Sequence, residues 1–203
     1  DDGVGPLRLG LADLIEQAVG DLPHLEVIRD GDTIIARTNL GRDRRVAIAG
    51  HIDTVPINRN VPTRTVDIDG EEFIWGRGTV DMKAGVAVQL KLAADLVAPK
   101  ADITWIWYDH EEVAAALNAL TRIAATRADL VAADFAILGE PSNGQVEGGC
   151  NGHMRAIVRT HGVRSHSARS WIGENAIHKA APGRSERCSH HGRCGRKRHP
   201  RRL

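Results

Sequence analysis

The most apolar stretch of the chain, residues 102–108, ends directly at the charged run Asp109, His110, Glu111 and Glu112. Its sequence, D-I-T-W-I-W-Y, has the length of a strand and apolar side chains on both faces, which is typical of a parallel sheet covered by helices on both sides. Adjacent carboxylates at the end of a buried strand repel each other unless one is protonated or a cation lies beside them. The stretch predicts a core strand with a charged site at its carboxyl end; a solvated first turn of a helix is the alternative.

Strands and helices alternate along the chain before residue 142. Apolar residues at spacings of three and four predict helices at residues 11–22, 81–97 and 113–125. Short apolar runs predict strands within residues 25–38, where a D-G-D turn separates two of them, and within residues 44–50, 71–79, 102–108 and 133–141. The alternation predicts an α/β fold in which a mixed, largely parallel sheet is flanked by helices.

Composition limits the class of protein. The chain has no apolar run of about 18 residues, so we expect neither a membrane-spanning helix nor a membrane partner. The first ten residues lack the apolar region of a signal peptide, and three cysteines fit a reducing compartment better than a disulfide framework. These features predict a cytoplasmic protein.

Six polar residues share one property: each lies at or just after the carboxyl end of a predicted strand or turn. They are His51, Asp53, Asp81, Glu111, Glu112 and Glu140. Ligands of open α/β sheets bind at this edge, and one histidine with several carboxylates suits a divalent ion such as zinc, cobalt or manganese. Taken singly, Asp81 is compatible with a helix cap and Glu140 with a turn before Pro141. Their convergence on one edge of the sheet predicts a site.

Four motifs occur in order along residues 10–182: A-G-H-I-D-T-V-P, W-G-R-G-T-V-D-M-K-A-G, Y-D-H-E-E-V and L-G-E-P-S. In sequence and spacing they resemble the dinuclear zinc amidohydrolases of the M20 metallopeptidase family. The resemblance implies a zinc-peptidase-like catalytic domain in residues 1–149. It also implies the start of an inserted α+β lid and dimerisation domain in residues 150–182.

The resemblance implies a set of metal ligands at two divalent ions, zinc or alternatively cobalt. His51 and Glu140 hold the first ion, Asp81 bridges both ions, and Glu112 holds the second. It also implies a cis peptide bond directly after Asp81.

The catalytic residues implied by the resemblance are Asp53, which steadies His51, and Glu111, the general base. His166, in R-S-H-S-A-R-S, matches a lid histidine that reaches the partner subunit's site in a homodimer and helps to stabilise the oxyanion. His110 departs from the pattern, since the family commonly has a small residue or cysteine there. A larger imidazole beside Glu111 is expected to perturb the base or to add a ligand.

The substrate that the resemblance implies is a small molecule, N-succinyl-diaminopimelate, whose amide bond is hydrolysed. This implication rests on residues 147–182, which are the most similar part of the chain to enzymes with that activity. Acetylornithine, an N-acylamino acid or a dipeptide are the alternatives, because the metal motifs are shared across the family.

The last 21 residues, 183–203, differ from the rest of the chain and contain eight Lys or Arg residues against one acidic residue. They do not match the remainder of the family's lid, its last strands or its final metal-binding histidine, and a reading-frame change near Pro182 is our interpretation. We therefore expect an incomplete second metal site, one tightly bound ion at most, weak dimerisation and little or no hydrolysis by this chain alone. A truncated, non-enzymatic product is the alternative.

Two other functions of residues 183–203 are possible in principle. C-S-H-H-G-R-C has zinc-binding residue types but no second well-spaced pair. G-R-K-R-H-P-R-R is basic but has no interleaved aromatic residues, so we expect no specific nucleic-acid partner.

Overall fold

The computed structural model describes residues 10–149 and 156–180. The chain divides after Glu147 into two compact units. The basic segment 183–203 lies outside the described residues, so the predictions for it stay predictions. In the described parts, the helices are too short or too polar to span a membrane.

A five-stranded sheet forms the centre of the first unit, with the strand order β1-β2-β6-β3-β7. Its strands are β1 (Glu26–Asp30), β2 (Thr33–Arg37), β3 (Arg45–His51), β6 (Asp102–Tyr108) and β7 (Phe135–Leu138). β3 pairs in parallel with β6 and β7, whereas the β1–β2 and β2–β6 pairs are antiparallel. The prediction of a mixed sheet is confirmed. A separate hairpin consists of β4 (Arg64–Ile68) and β5 (Glu71–Trp75).

Helices cover both faces of the sheet, which also confirms the prediction. They are α1 (Leu11–Gly20), α2 (Ala84–Asp95), α3 (Ala119–Thr126) and α4 (Ala128–Val131). Side chains of α1 and α2 pack with Trp105 and Trp107 on one face. Side chains of α3 and α4 pack with Ile106 and Tyr108 on the other. β6 is buried along its whole length because alternate side chains enter these two cores.

Two helices begin later than the periodicity predicts. The predicted helix 81–97 starts at Ala84, after an irregular turn at Thr79–Lys83 in which Asp81 and Met82 have non-helical backbone angles. The predicted helix 113–125 starts at Ala119, where the Asn118 side chain accepts hydrogen bonds from two backbone N–H groups of the first turn. Before α2, Asp81 and Met82 contact His51 at the charged edge of the sheet, and this contact overrides helix periodicity. Before α3, Ala115–Leu117 form a short 3-10 helix.

The second unit has little regular structure in residues 156–180. A short 3-10 helix spans Ser167–Ile172, one β-bridge joins Val163 and Glu174, and residues 176–180 are helical. The apolar run in M-R-A-I-V-R-T at residues 154–160 favours a strand, yet residues 156–160 are irregular. Within the described part of this unit no neighbouring strand pairs with them, and an apolar run without a partner does not form a ladder.

Asp102, at the start of β6, holds the loop before β3 to the sheet. Its buried carboxylate accepts hydrogen bonds from the Thr38 hydroxyl and from the backbone N–H groups of Leu40 and Arg42, at 2.8–2.9 Å. Burial raises the pKa of Asp102, but these donors outweigh it and hold the pKa below its ordinary value.

Replacing Asp102 with alanine is expected to lower the free energy of unfolding by about 3 kcal/mol, because three donors lose a charged acceptor. A carboxyl group with a lowered folded-state pKa contributes stability above its unfolded-state pKa, and that contribution is lost as pH falls through the folded-state pKa. Urea unfolding of wild type, D102A and D102N between pH 7 and pH 3 measures this. Curves for wild type and D102N that keep a constant separation over that range would contradict the prediction.

Candidate metal centre

His51, the last residue of β3, is the buried member of the charged site, with a side chain 1% exposed. Its Nδ1–H donates to the backbone carbonyl of Asp53 at 3.0 Å. This bond fixes the ring so that Nε2 lies 2.8 Å from the Asp81 carboxylate and 3.9 Å from that of Glu140. Burial lowers the pKa of His51, but the hydrogen bond to Asp81 and the charge of Glu140 outweigh this effect and raise it.

Asp81 reaches His51 because the turn Thr79–Lys83 interrupts the helical path before α2. The peptide bond between Asp81 and Met82 is cis, as the resemblance implied. The Asp81 side chain is half exposed and caps neither the turn nor α2. The helix-cap alternative for Asp81 is therefore wrong.

Asp53 connects the His51 segment to the two adjacent glutamates. Its carboxylate accepts one hydrogen bond from the backbone N–H of Glu111 and one from that of Glu112, both at 3.1 Å. Its Oδ1 also lies 3.5 Å from His51 Nδ1. Asp53 thus fixes the backbone of the two glutamates directly after the end of β6.

The carboxylates and His51 form two groups that have the geometry of metal sites. One group is His51, Asp81 and Glu140; the other is His51, Glu111 and Glu112. Within each group the potential ligand atoms lie within 4.8 Å of one another. All six residues singled out at the sheet edge are therefore brought together in the first unit.

The carboxylates at this edge repel one another, and this repulsion adds to the effect of burial on the pKa values of Glu112 and Glu140. Burial raises the pKa of Glu112, and the charges of Asp81 and Glu111 raise it further. Burial also raises the pKa of Glu140; His51 opposes this, and Asp81, Glu111 and Glu112 add to it. One imidazole and several oxygen donors that repel each other are a ligand set for a divalent cation of the zinc type, so the residues fit the ions that the sequence implied.

Asp109 supports the loop that carries the glutamates, a role that sequence reasoning missed. Its carboxylate accepts from the Thr33 hydroxyl at 2.5 Å, pairs with His110 and lies 3.8 Å from an Arg122 guanidinium nitrogen. His110 has a left-handed backbone with φ of 63°, directly before Glu111. The charged run D-H-E-E pointed to Asp109, but nothing in the sequence indicated Thr33 as its partner.

His166 belongs to the second unit. Its Nδ1 accepts a hydrogen bond from the backbone N–H of Ala168 at 3.2 Å, and its side chain caps the helix Ser167–Ile172. This contact accounts for the position of His166 in the described chain, and its catalytic role stays a prediction.

One imidazole and five carboxylates gathered at the carboxyl edge of an α/β sheet are typical of metal-dependent catalytic domains. A family profile described as "Peptidase family M20/M25/M40" matches residues 47–181. The chain belongs to this family.

The curated relatives carry a more particular name. The chain is 49% identical over 177 residues to a succinyl-diaminopimelate desuccinylase of Corynebacterium glutamicum, a match covering 85% of the chain and 47% of the relative. It is 46% identical over 170 residues to a putative succinyl-diaminopimelate desuccinylase of Mycobacterium tuberculosis, covering 83% of the chain and 47% of the relative. The chain thus spans about half the length of the curated relatives that it matches.

A solved structure shows the same fold. The aminopeptidase PepT from Bacillus cereus aligns with a TM-score of 0.52 and 17% sequence identity, over 85% of this chain and 49% of that one. At this identity the likeness concerns the fold alone.

Proposed function

We propose that this chain supplies the metal-binding half of an amide hydrolase that converts N-succinyl-LL-2,6-diaminopimelate and water into succinate and LL-2,6-diaminopimelate. The observation that carries the proposal is the convergence of His51, Asp81 and Glu140 on one point, with Glu111 and Glu112 beside them. The identity to desuccinylases over most of the chain favours this substrate over acetylornithine or a dipeptide. A cytoplasmic location is part of the proposal.

His51, Asp81 and Glu140 are proposed to hold one ion tightly, since the imidazole is fixed by Asp53 and both carboxylates face Nε2. Asp81 and Glu112 would hold a second ion, less tightly because the described residues supply only these two ligands. When bound, such ions lower the pKa of a water molecule and polarise an amide carbonyl.

Glu111 is proposed as the base of the reaction. Its backbone N–H donates to Asp53, and its carboxylate, which lies beside the proposed ligands, has no hydrogen-bond partner among the described residues. The Glu111 carboxylate takes one proton from the attacking water and transfers it to the departing amine nitrogen, so that water's oxygen ends on the acyl carbon.

A chimera tests the proposed function, because the chain spans about half of its relatives. Residues 10–180 replace the aligned segment of the Corynebacterium glutamicum desuccinylase, whose own second half is kept. We expect the chimera to release succinate from N-succinyl-diaminopimelate and to prefer it to N-acetylornithine. The isolated 203-residue chain is expected to show little turnover. A folded, zinc-loaded chimera that hydrolyses neither substrate would refute the function, and preference for N-acetylornithine would refute the substrate.

In the chimera, substitutions of Glu111 and Glu112 are expected to affect turnover and zinc affinity differently, although both residues lie in one potential ligand group. Glu111→Gln removes the base and should lower kcat by about 10²- to 10⁴-fold while zinc affinity stays close to wild type. Glu112→Gln removes a ligand and should weaken binding of the second ion. Turnover and zinc titration of the two variants side by side separate the roles. Equal loss of zinc affinity in both variants would show that Glu111 is a ligand.

A further inference from the structure

Met82 is a fully buried side chain that directly follows the proposed ligand Asp81. Its Sδ accepts a hydrogen bond from the backbone N–H of His51 at 3.2 Å, a contact between residues that are 31 positions apart. A single side chain therefore joins the backbone segments of two proposed ligands.

Three glycines surround the terminal methyl group of Met82. A Cβ atom would lie 2.6 Å from Met82 Cε at Gly50, and 2.9 Å from it at Gly85 and at Gly139. Such distances are too short for a side chain, so the Met82 methyl group occupies the space that side chains at these positions would need. Gly50 directly precedes His51, and Gly139 directly precedes Glu140. Two of the three glycines around the Met82 methyl group are therefore chain neighbours of proposed ligands.

Gln89 fills the remainder of the same space. Its Nε2 lies 2.7 and 2.6 Å from the Cβ positions at Gly50 and Gly139, and the residue is 3% exposed. In the described chain neither of its side-chain polar atoms has a hydrogen-bond partner. A buried amide without hydrogen-bond partners lowers the stability of a fold. Such unfavourable burial is typical of places where function constrains the choice of side chain.

The two strands that carry ligands meet at this point. The backbone N–H of Gly139 donates to the carbonyl of Ala49 at 2.9 Å, which extends the pairing of β7 with β3 up to the residue before Glu140. Met82 is thus packed where β3, β7 and the turn before α2 come together. Its volume sets how closely these three segments approach.

We propose that Met82 is a positioning residue of the metal centre: wedged among Gly50, Gly85 and Gly139, it fixes the spacing of His51, Asp81 and Glu140. This inference rests on the proposed function, since it requires that these residues bind a metal ion. The volume of the side chain carries the effect, because a hydrogen bond from an N–H group to a thioether is weak.

Cobalt binding to the 203-residue chain tests the proposal. The metal-free protein is titrated with Co²⁺, and the visible absorption spectrum reports both the affinity and the geometry of the site. The variants are M82A, which removes the volume, and M82L, which keeps most of it. Ile123→Ala is the matched control, because Ile123 is fully buried in the core on the other face of the sheet. Circular dichroism and thermal unfolding establish that each variant is folded at the temperature of the titration.

We expect M82A to weaken Co²⁺ binding by about 10- to 100-fold and to change the absorption bands, as loss of support for metal ligands does elsewhere. M82L should bind within about threefold of wild type, since the change conserves volume. I123A should unfold at a lower temperature but bind Co²⁺ as wild type does. If M82A does not fold, Gly85→Ala replaces it: the new methyl group would meet Met82 Cε and the Gly139 carbonyl, and should weaken binding likewise.

Two results would overturn the inference: a folded M82A or G85A with wild-type affinity and bands, or equal weakening in I123A. M82L as weak as M82A would also overturn it, since volume would then not be the cause. Failure of the proposed function has a different signature, because the wild-type chain itself would then show no Co²⁺ site that depends on His51.

Discussion

Replacing His51 with alanine is expected to lower the affinity of the chain for Zn²⁺ by about three orders of magnitude. Structural zinc sites bind with roughly 10–16 kcal/mol, and loss of one of three protein ligands removes about a third of that, close to 4 kcal/mol. The effect should be this large because His51 is one of the three proposed ligands of the tight site, with Asp81 and Glu140. Its ring is also already fixed by Asp53, so little ordering is needed on binding.

Competition with a chromophoric chelator measures the zinc affinity of wild type and H51A. His161→Ala is the matched control, since it removes an exposed histidine in the second unit that belongs to neither potential ligand group. H161A should bind zinc as wild type does. If H51A kept the wild-type affinity, or if H161A lost it equally, the tight site would have to lie elsewhere in the chain.

Removal of metal is expected to produce the second large effect, on stability. An ion at 1,000 times its Kd stabilises the folded state by about 4 kcal/mol when it does not bind the unfolded chain. The carboxylates Asp81, Glu112 and Glu140 repel one another in the metal-free protein, as the raised pKa values of Glu112 and Glu140 indicate. Chelation should therefore lower the free energy of unfolding, and excess zinc should restore it.

Glu140→Gln is expected to raise the stability of the metal-free protein and to weaken its stabilisation by zinc. Removing one charge relieves repulsion, so metal-free E140Q should be more stable than metal-free wild type at pH 7. The same change removes a ligand, so zinc should stabilise E140Q much less. Urea unfolding with chelator and with zinc gives both quantities, and Glu72→Gln, on the exposed hairpin, is the control. A metal-free E140Q that is less stable than wild type would mean that Glu140 has a structural role and is not held against repulsion.

The core of the fold could be predicted from the sequence because its pattern is set locally. The apolar run of β6 and the spacing of Leu11, Ile15 and Val19 depend on burial alone, and both elements form as expected. The first turn of α2 and the backbone of Glu111 after β6 could not be predicted, because distant partners set them. Asp53 holds the backbone of Glu111 from 58 residues away, and no local pattern encodes such a bond.

The hairpin β4–β5 shows the opposite case, a signal that was present and overlooked. Asp69 and Gly70 both have positive φ, 56° and 86°, which is the conformation that an Asp-Gly pair favours in a two-residue turn. The strand before it, R-T-V-D-I, was not predicted because its exposed residues give no apolar run.

The sequence predicts that the proposed ligands lie close together, but it does not predict which residues hold them in place. His51, Asp81 and Glu140 follow different segments, and sheet topology alone brings the ends of β3 and β7 together. The contacts that hold these segments in place do not follow from sheet topology. Met82 and Asp109 act through a backbone N–H group and through a hydroxyl on another strand, and neither partner could be chosen from the sequence.

Anomalous scattering at the zinc absorption edge, from crystals of the 203-residue chain grown with zinc, locates the ion directly. The strongest peak should lie about 2.0–2.2 Å from His51 Nε2 and from carboxylate oxygens of Asp81 and Glu140. A strongest peak bound by other residues, with the three side chains apart and facing solvent, would contradict the metal centre described here.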